Sequence, residues 1–421
     1  MKKKIITTPF DRKRIPPKQN FFLMPLIWLV CWVLTRGSGL KINKTNMKGL
    51  KPPFLVVGTH HSFTDFYVTP LTLFPYRANY ISELEGFENF GEWIYRQIGC
   101  LGTRKFVSDL ALIKNIKRVI ARKGVMVIYP EARYANIGTS SEIPISVSKL
   151  AKMLKVPLVT LNMHGNYLES PIWNLKKRKG VKLEANLNLL YTKDELEQAT
   201  VPEIHSALHE ALKYDEYAWQ LENNMRIDYA KRSEGLELVL YKCPDCNEEF
   251  GMQTSGADLF CTKCGSRWHM TELGQLKQIK KAGLSVVDGE CEMVHMPDWY
   301  EWQRTQVIEE IKQGKYGLNI SVQIDSLPNA KNFIDLGIGN LKHDKSGFYL
   351  TFIPYESNSE ITMHFNPRTT YSIHTEYDYR HKGQCVTLSE LDNTYFIFPK
   401  DPGFNATKIQ FATEYLYGAY M

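Results

Sequence analysis

Two C-x2-C units, Cys243-Pro244-Asp245-Cys246 and Cys261-Thr262-Lys263-Cys264, stand 14 residues apart near the middle of the chain. Four thiolates at this spacing suit tetrahedral zinc in a ribbon of short strands, with Gly265 closing the second unit. Redox or disulfide use is the alternative, but the other four of the eight cysteines are scattered, which fits a reducing compartment and not a disulfide framework. The four cysteines leave no open ligand position, so a ribbon over 237–275 is expected to stabilise a module and perform no chemistry. His269 is a further ligand type nearby, which the four cysteines make unnecessary. Ribbons also occur in nucleic-acid binders. Here Asp245, Glu248, Glu249 and Asp258 offset Lys242, Lys263 and Arg267, so nucleic acid is not an expected partner and a structural or protein-contact role is.

At 421 residues the chain exceeds what one core serves, so two or three domains are expected around that ribbon. Residues 1–20 form a basic arm, with Lys2, Lys3, Lys4, Arg12, Lys13, Arg14 and Lys18 against Asp11 alone. Such an arm is either a solvated start or a tether to anionic headgroups, each cation contributing about 1 kcal/mol at a membrane surface. Phe21 to Thr35 (FFLMPLIWLVCWVLT) then runs 15 residues without charge. That is short of the roughly 20 residues of a spanning helix. An interfacial or half-inserted helix, a single span and a buried core helix all remain open. Trp28 and Trp32, one turn apart, suit a headgroup boundary. The arm and this segment suggest a membrane-associated protein, and the cysteine usage a cytoplasmic face.

Strands and helices alternate after this segment. Phe54–Gly58, Val125–Tyr129 and Leu158–Asn162 read as short buried strands, and Leu183–Tyr191 as a half-exposed one. Asp109–Arg122 and Ser146–Leu154 carry helical periodicity, and two further helical stretches reach Glu222. This is an α/β layered domain over 21–222, whose ligand sites gather at the carboxyl ends of strands. Residues 223–242 form a charged connector into the cysteines. Beyond a helix near 301–315, within a module spanning 285–421, short aromatic and β-branched runs such as 347–354 and 371–377 predict a β-rich structure, a small barrel being one form.

The densest chemistry follows the first of those strands, in Gly58-Thr59-His60-His61-Ser62-Phe63-Thr64-Asp65. Structurally, Ser62 is a natural N-cap and Asp65 the matching N3 acid of a capping box. The same placement lets a histidine in the turn face a carboxylate inside the helix. Asp65 on one imidazole nitrogen of His60 would leave the other free to take a proton from an attacking alcohol. His61 is expected to be a neighbour and not a metal ligand.

Thr59 to Asp65 resembles the N-H-x-S-x-x-D motif of the phospholipid and glycerol acyltransferases, typified by the lysophosphatidate acyltransferases. Gly102-Thr103-Arg104, Tyr129-Pro130-Glu131 (the start of the family's F-P-E-G-T-R block) and Val156-Pro157 follow in the family's order, over about 20–215. The resemblance implies a glycerolipid acyltransferase-like αβ domain with an N-terminal membrane helix. It implies His60 as base, Asp65 as its partner, acyl-CoA or acyl-carrier protein as donor, and a membrane phospholipid acceptor such as 1-acyl-glycerol-3-phosphate or another lysophospholipid. It places Arg104 on the acceptor phosphate, with Glu131 orienting that arginine or a backbone turn and Ser62 and Arg133 among the substrate-contact residues. Ala132, Arg133 and Tyr134 depart from the family's glycine, threonine and arginine, so the second phosphate-binding arginine is shifted to Arg133 or absent. The altered block also leaves a different class of function open, a non-catalytic membrane adaptor working through the ribbon and the β module.

Overall fold

The computed structural model describes residues 8–282, 293–354, 359–401 and 403–420. Lys2, Lys3 and Lys4 of the basic arm, and the start of the module placed from 285, lie outside the described residues. The chain forms two compact units. One comprises 11–103 and 109–227, and the other 1–10, 104–108 and 228–421.

The α/β unit contains, in chain order, α1 (Met24–Thr35), β1 (Lys41–Thr45), β2 (Phe54–Gly58), α2 (Asp65–Leu73), β3 (Ala78–Glu83), α3 (Leu84–Phe90), α4 (Glu92–Gln97), β4 (Cys100–Thr103), α5 (Leu110–Ala121), β5 (Val125–Ile128), α6 (Ile145–Leu154), β6 (Leu158–His164), α7 (Asn166–Glu169), β7 (Glu184–Tyr191), α8 (Lys193–Gln198), α9 (Val201–Ala211) and α10 (Glu216–Glu222). The strands form one sheet in the order β1-β7-β6-β2-β5-β3-β4. Only the β6–β7 pairing is antiparallel. The β2 strand is central and every residue of it is buried, which is why it carries no polar alternation. Leu55 and Val57 pack with Met126, Ile128 and Leu158 against apolar residues of α5, α6 and α9.

The apolar segment is helical only from Met24, so α1 has 12 residues, about 18 Å of rise against the roughly 30 Å hydrocarbon thickness of a bilayer. No helix among the described residues is long and apolar enough to cross a membrane, and α1 as a single span is thereby corrected. Nor is it a buried core helix. Met24, Cys31 and Thr35 are buried and Trp28 packs edge-on against Phe74 of the α2 end, ring centroids 4.8 Å apart. Leu26, Leu29, Trp32 and Val33 lie exposed, as do Phe21 and Phe22 before the helix. The described part of the basic arm is not free in solvent. Arg122 donates to the carbonyls of Pro16 and Pro17, Asn115 to those of Arg12 and Arg14, and Arg12 pairs with Asp109.

The C-terminal unit holds a five-stranded antiparallel sheet, β8 (Met252–Ser255), β9 (Asp258–Cys261), β10 (Arg267–Met270), β11 (Leu276–Lys280) and β12 (Met293–Val294). After α11 (Met296–Lys312) comes a seven-stranded antiparallel sheet in the order β16-β15-β14-β13-β19-β18-β17. Its strands are β13 (Leu318–Ser326), β14 (Ile334–Asp344), β15 (Gly347–Phe352), β16 (Ile361–Phe365), β17 (His374–Glu376), β18 (Cys385–Ser389) and β19 (Thr394–Pro399), and α12 (Ala406–Ala419) closes the chain.

Three expectations are corrected here. The sheet is open, with β16 and β17 at its ends, and is not a barrel. The helix placed near 301–315 starts at Met296, with Pro297 in its first turn, where a missing N–H costs nothing. The module also ends in a helix, which its Thr, Ile, Phe and Tyr content hid. Those residues are kept in α12 by packing, since Ile409, Phe411, Ala412 and Leu416 are all buried.

Candidate active site and metal centre

The α/β site is built where the carboxyl ends of β2, β5 and β6 lie side by side. The last residue of β2 is Gly58, where a Cβ would press on the Tyr129 ring at 3.2 Å. The turn that follows is fastened on both flanks. On the β6 side the Thr59 hydroxyl accepts from Met163 N–H at 3.1 Å. On the β5 side Ala135 N–H donates to the His60 carbonyl at 3.1 Å, and the His60 N–H points to Glu131 Oε1 at 3.4 Å.

This turn brings His60 and Asp65 together, with Nδ1 2.9 Å from Oδ2. The Asp65 side chain is fully buried and that of His60 is 13% exposed. Asp65 Oδ2 also accepts from the N–H groups of His61 (2.7 Å) and Ser62 (3.2 Å), and Oδ1 from Asn166 Nδ2 at 2.7 Å. A carboxylate so held offers only lone pairs, so the facing imidazole nitrogen carries the hydrogen and Nε2 keeps its lone pair. Tyr129 stacks on the His60 ring (4.5 Å, 12°) and Tyr134 leans on it at 4.6 Å. No hydroxyl or thiol among the described residues is bonded to Nε2.

The capping box expected at Ser62 is corrected. The N-cap position falls on Thr64 without a side-chain cap bond, and Asp65 is the first helical residue. The buried Ser62 hydroxyl donates to the Asn166 carbonyl at 2.8 Å and accepts from Thr64 N–H at 3.3 Å, so it ties the turn to the chain after β6.

Arg104 is also corrected. It belongs to the C-terminal unit, and its guanidinium is buried among the carbonyls of Leu327, Pro328, Leu391 and Asp392 and the hydroxyl of Thr394. A fork whose donors are turned to internal acceptors anchors a loop and does not hold a phosphate.

Glu131 is buried and accepts from Ser141 N–H at 3.1 Å and from the Tyr214 hydroxyl. Burial pushes its carboxyl up to about 7, against the lowering pull of the Ser141 N–H and the Arg133 charge. A carboxyl raised in the folded state keeps a proton that the unfolded chain has lost, so its contribution is present below the unfolded value of 4.5 and is lost as pH rises through about 7. Relative to Glu131→Gln, the wild type is therefore expected to lose about 3 kcal/mol of stability between about pH 4 and pH 8, measured by urea unfolding at both ends.

Arg133 is buried beside Glu131, with Nη2 3.5 Å from the Ser141 hydroxyl. Ala132 has φ +55°, the left-handed region that glycine enters without cost. His61 is fully buried with Nε2 on the Thr59 hydroxyl at 2.8 Å, and burial pushes its pKa down. Sequence reasoning missed Asn166, Tyr134 and Tyr214. Asn166 lies 101 residues beyond Asp65, and no local pattern links the two.

In the other unit the four cysteine sulfurs lie within 4.8 Å of one another. The Cys243–Cys264 and Cys246–Cys261 separations are both 3.7 Å. Four sulfurs at about 2.3 Å from one zinc ion stand about 3.8 Å apart along a tetrahedron's edges, so the donor set fits such an ion. Each knuckle closes through a left-handed residue, Asn247 (φ +60°) or Gly265 (φ +76°), whose N–H returns to the carbonyl of Cys243 or Cys261.

No family model matches this chain, and no curated protein does. Among solved structures, the 1-acyl-sn-glycerophosphate (LPA) acyltransferase PlsC from Thermotoga maritima is similar over 45% of this chain and 77% of its own, at 14% identity and a TM-score of 0.39. A likeness of that degree carries no function across, and the chain's own residues must supply it.

Proposed function

We propose that the α/β unit is a membrane-surface O-acyltransferase that moves a fatty acyl group from a thioester, acyl-CoA or acyl-carrier protein, to a hydroxyl of a glycerol-phosphate lipid. The observation that carries this reading is the His60–Asp65 pair, a fully buried carboxylate on Nδ1 of an imidazole that keeps some exposure. As the acceptor hydroxyl attacks the thioester carbonyl, its proton passes to His60 Nε2. Asp65 supports the imidazolium, and that proton then goes to the departing thiolate as the C–S bond breaks. With no side-chain nucleophile bonded to Nε2 among the described residues, the attack is direct.

One feature supports a lipid substrate. The exposed side of α1 presents Leu26, Leu29, Trp32 and Val33. On this reading α1 lies in the interface of the cytoplasmic leaflet. Leu29→Glu with Val33→Glu is expected to weaken sedimentation with anionic phospholipid vesicles about tenfold or more, since both side chains leave apolar lipid. Arg104 and Arg133 are both buried with internal partners, so neither motif cation is assigned to the headgroup. In the C-terminal unit we assign the four cysteines to structural zinc.

The test is to incubate the protein on vesicles with labelled acyl-CoA or acyl-carrier protein and a panel of lysolipids. Transfer to a phosphate-bearing lysolipid by the wild type, absent in His60→Ala, is the expected result. The burial of Arg104 and the contact of Tyr134 with His60 favour a second reading, a non-catalytic membrane adaptor. Failure of both donors with every acceptor would select it.

A further inference from the structure

Asp65 has two oxygens, and a carboxylate holds one of them steadily on an imidazole only if the other is also held. The element that holds it is the turn after β6. Three side chains of the histidine motif dock on that turn and on α7. Ser62 donates to the Asn166 carbonyl at 2.8 Å, Thr64 donates to Glu169 at 2.7 Å, and Asp65 Oδ1 accepts from Asn166 Nδ2 at 2.7 Å. The fully buried Asn166 side chain leaves its own oxygen without a partner among the described residues. A buried unmet acceptor costs stability, so an amide is kept here for its donor.

The turn itself has no room to shift. Gly165 has φ +83°, and a Cβ on it would stand 2.0 Å from the Lys182 carbonyl. Its N–H donates to Glu216 Oε2 at 2.7 Å, and His164 Nδ1 lies 2.9 Å from Glu216 Oε1. Glu216 is fully buried, and the His164 ring stacks on Trp219 (5.2 Å, 11°). Two histidine–acid pairs thus sit at the ends of the adjacent strands β2 and β6, and residues 164–166 join them.

We propose that Asn166 is the positioning residue that completes the His60–Asp65 pair, and that Glu216 pins the turn presenting it. The inference rests on the reading of His60 as the base. Asn166 touches no reacting atom; its donor keeps Asp65 Oδ2 on Nδ1 of His60, and so keeps the Nε2 lone pair toward the acceptor hydroxyl. Without it, Oδ1 is left buried and unmet, and the carboxylate turns to share the N–H groups of His61 and Ser62.

The test uses the full chain, with steady-state transfer kinetics and 15N NMR of histidine-labelled protein, the His60 signals being identified by their loss in His60→Ala. Asn166→Leu keeps the number and branching of side-chain heavy atoms and removes the donor. It is expected to lower kcat about 10- to 100-fold with KM changed less than about twofold, and to move the His60 signals away from the Nδ1–H tautomer. Glu216→Ala is expected to move the same signals, and Glu216→Gln, which still accepts from Gly165 N–H, to restore them in part. These two decide the matter if Asn166→Leu does not fold. Wild-type His60 signals in Asn166→Leu, or in Glu216→Ala where only that variant folds, would overturn the proposal, as would unchanged kcat in an active protein. If the wild type transfers to no acceptor while Asn166→Leu still shifts His60, the positioning role stands and the acyltransferase reading falls.

Discussion

His60→Ala is expected to lower acyl transfer by about 10²- to 10⁴-fold, the range a positioned general base contributes, with the fold retained. Removing the ring takes its hydrogen bond from Asp65, whose Oδ2 still accepts from the N–H groups of His61 and Ser62. Asp65→Asn should cost nearly as much by a different route. If the new amide keeps its oxygen toward His60 Nδ1 and the N–H groups of His61 and Ser62, its NH2 faces Asn166 Nδ2, and Asn166 must turn its own amide over to accept it. If the new amide turns over, its NH2 faces Nδ1, which must then accept, and the hydrogen moves to Nε2 where the substrate proton should go. Each arrangement also lacks the charge that supports the imidazolium. The pair is measured as transfer per folded molecule, and normal turnover by purified His60→Ala would end the mechanism.

Stripping the metal is expected to unfold the ribbon and to loosen the C-terminal sheet with it. Structural zinc on four thiolates contributes about 10–16 kcal/mol at neutral pH, as much as the whole stability of a typical domain. The ribbon also shares buried hydrogen bonds with its neighbours in the same unit. Trp299 donates to the Lys242 carbonyl at 2.9 Å, Gln303 bridges Lys242 N–H and the Val239 carbonyl, and Asn405 donates to the Leu238 carbonyl. Lys242 and Lys408 alternate with Glu249 and Glu310 in a cluster of four charges. Chelation should therefore remove amide protection from β8–β12 first and then from α11 and α12, with β2, β5 and β6 protected as before. Cys261→Ser should reproduce this without chelator. Metal analysis reading one zinc per chain is the companion measurement, and a melting profile indifferent to chelation would show the four sulfurs to be packed thiols.

Residue patterns close along the chain carried their meaning into the structure. His60 and Asp65 are five apart, and the knuckle cysteines three apart, so one turn of backbone is enough to bring each pair within reach. The buried strands were legible for the same reason, since a strand covered on both faces is apolar throughout. Helix starts were less so. Ser62 has the chemistry of an N-cap, but its hydroxyl oxygen accepts from Thr64 N–H before the helix begins, while its hydrogen goes to the Asn166 carbonyl. The length of an apolar run likewise did not say how much of it would be helical, and α1 begins three residues into its segment.

What the sequence by itself determined was therefore local: an acid one turn beyond a histidine, four thiolates in two tight bends, and the alternation of strand and helix around them. Tertiary structure alone decided which side chains finish those sites. Arg104 meets carbonyls more than 220 residues later, and Asp65 meets an amide from another strand's end. A buried donor or acceptor must find its partner in space, and the chain brings distant partners together only after the sheet has set its order.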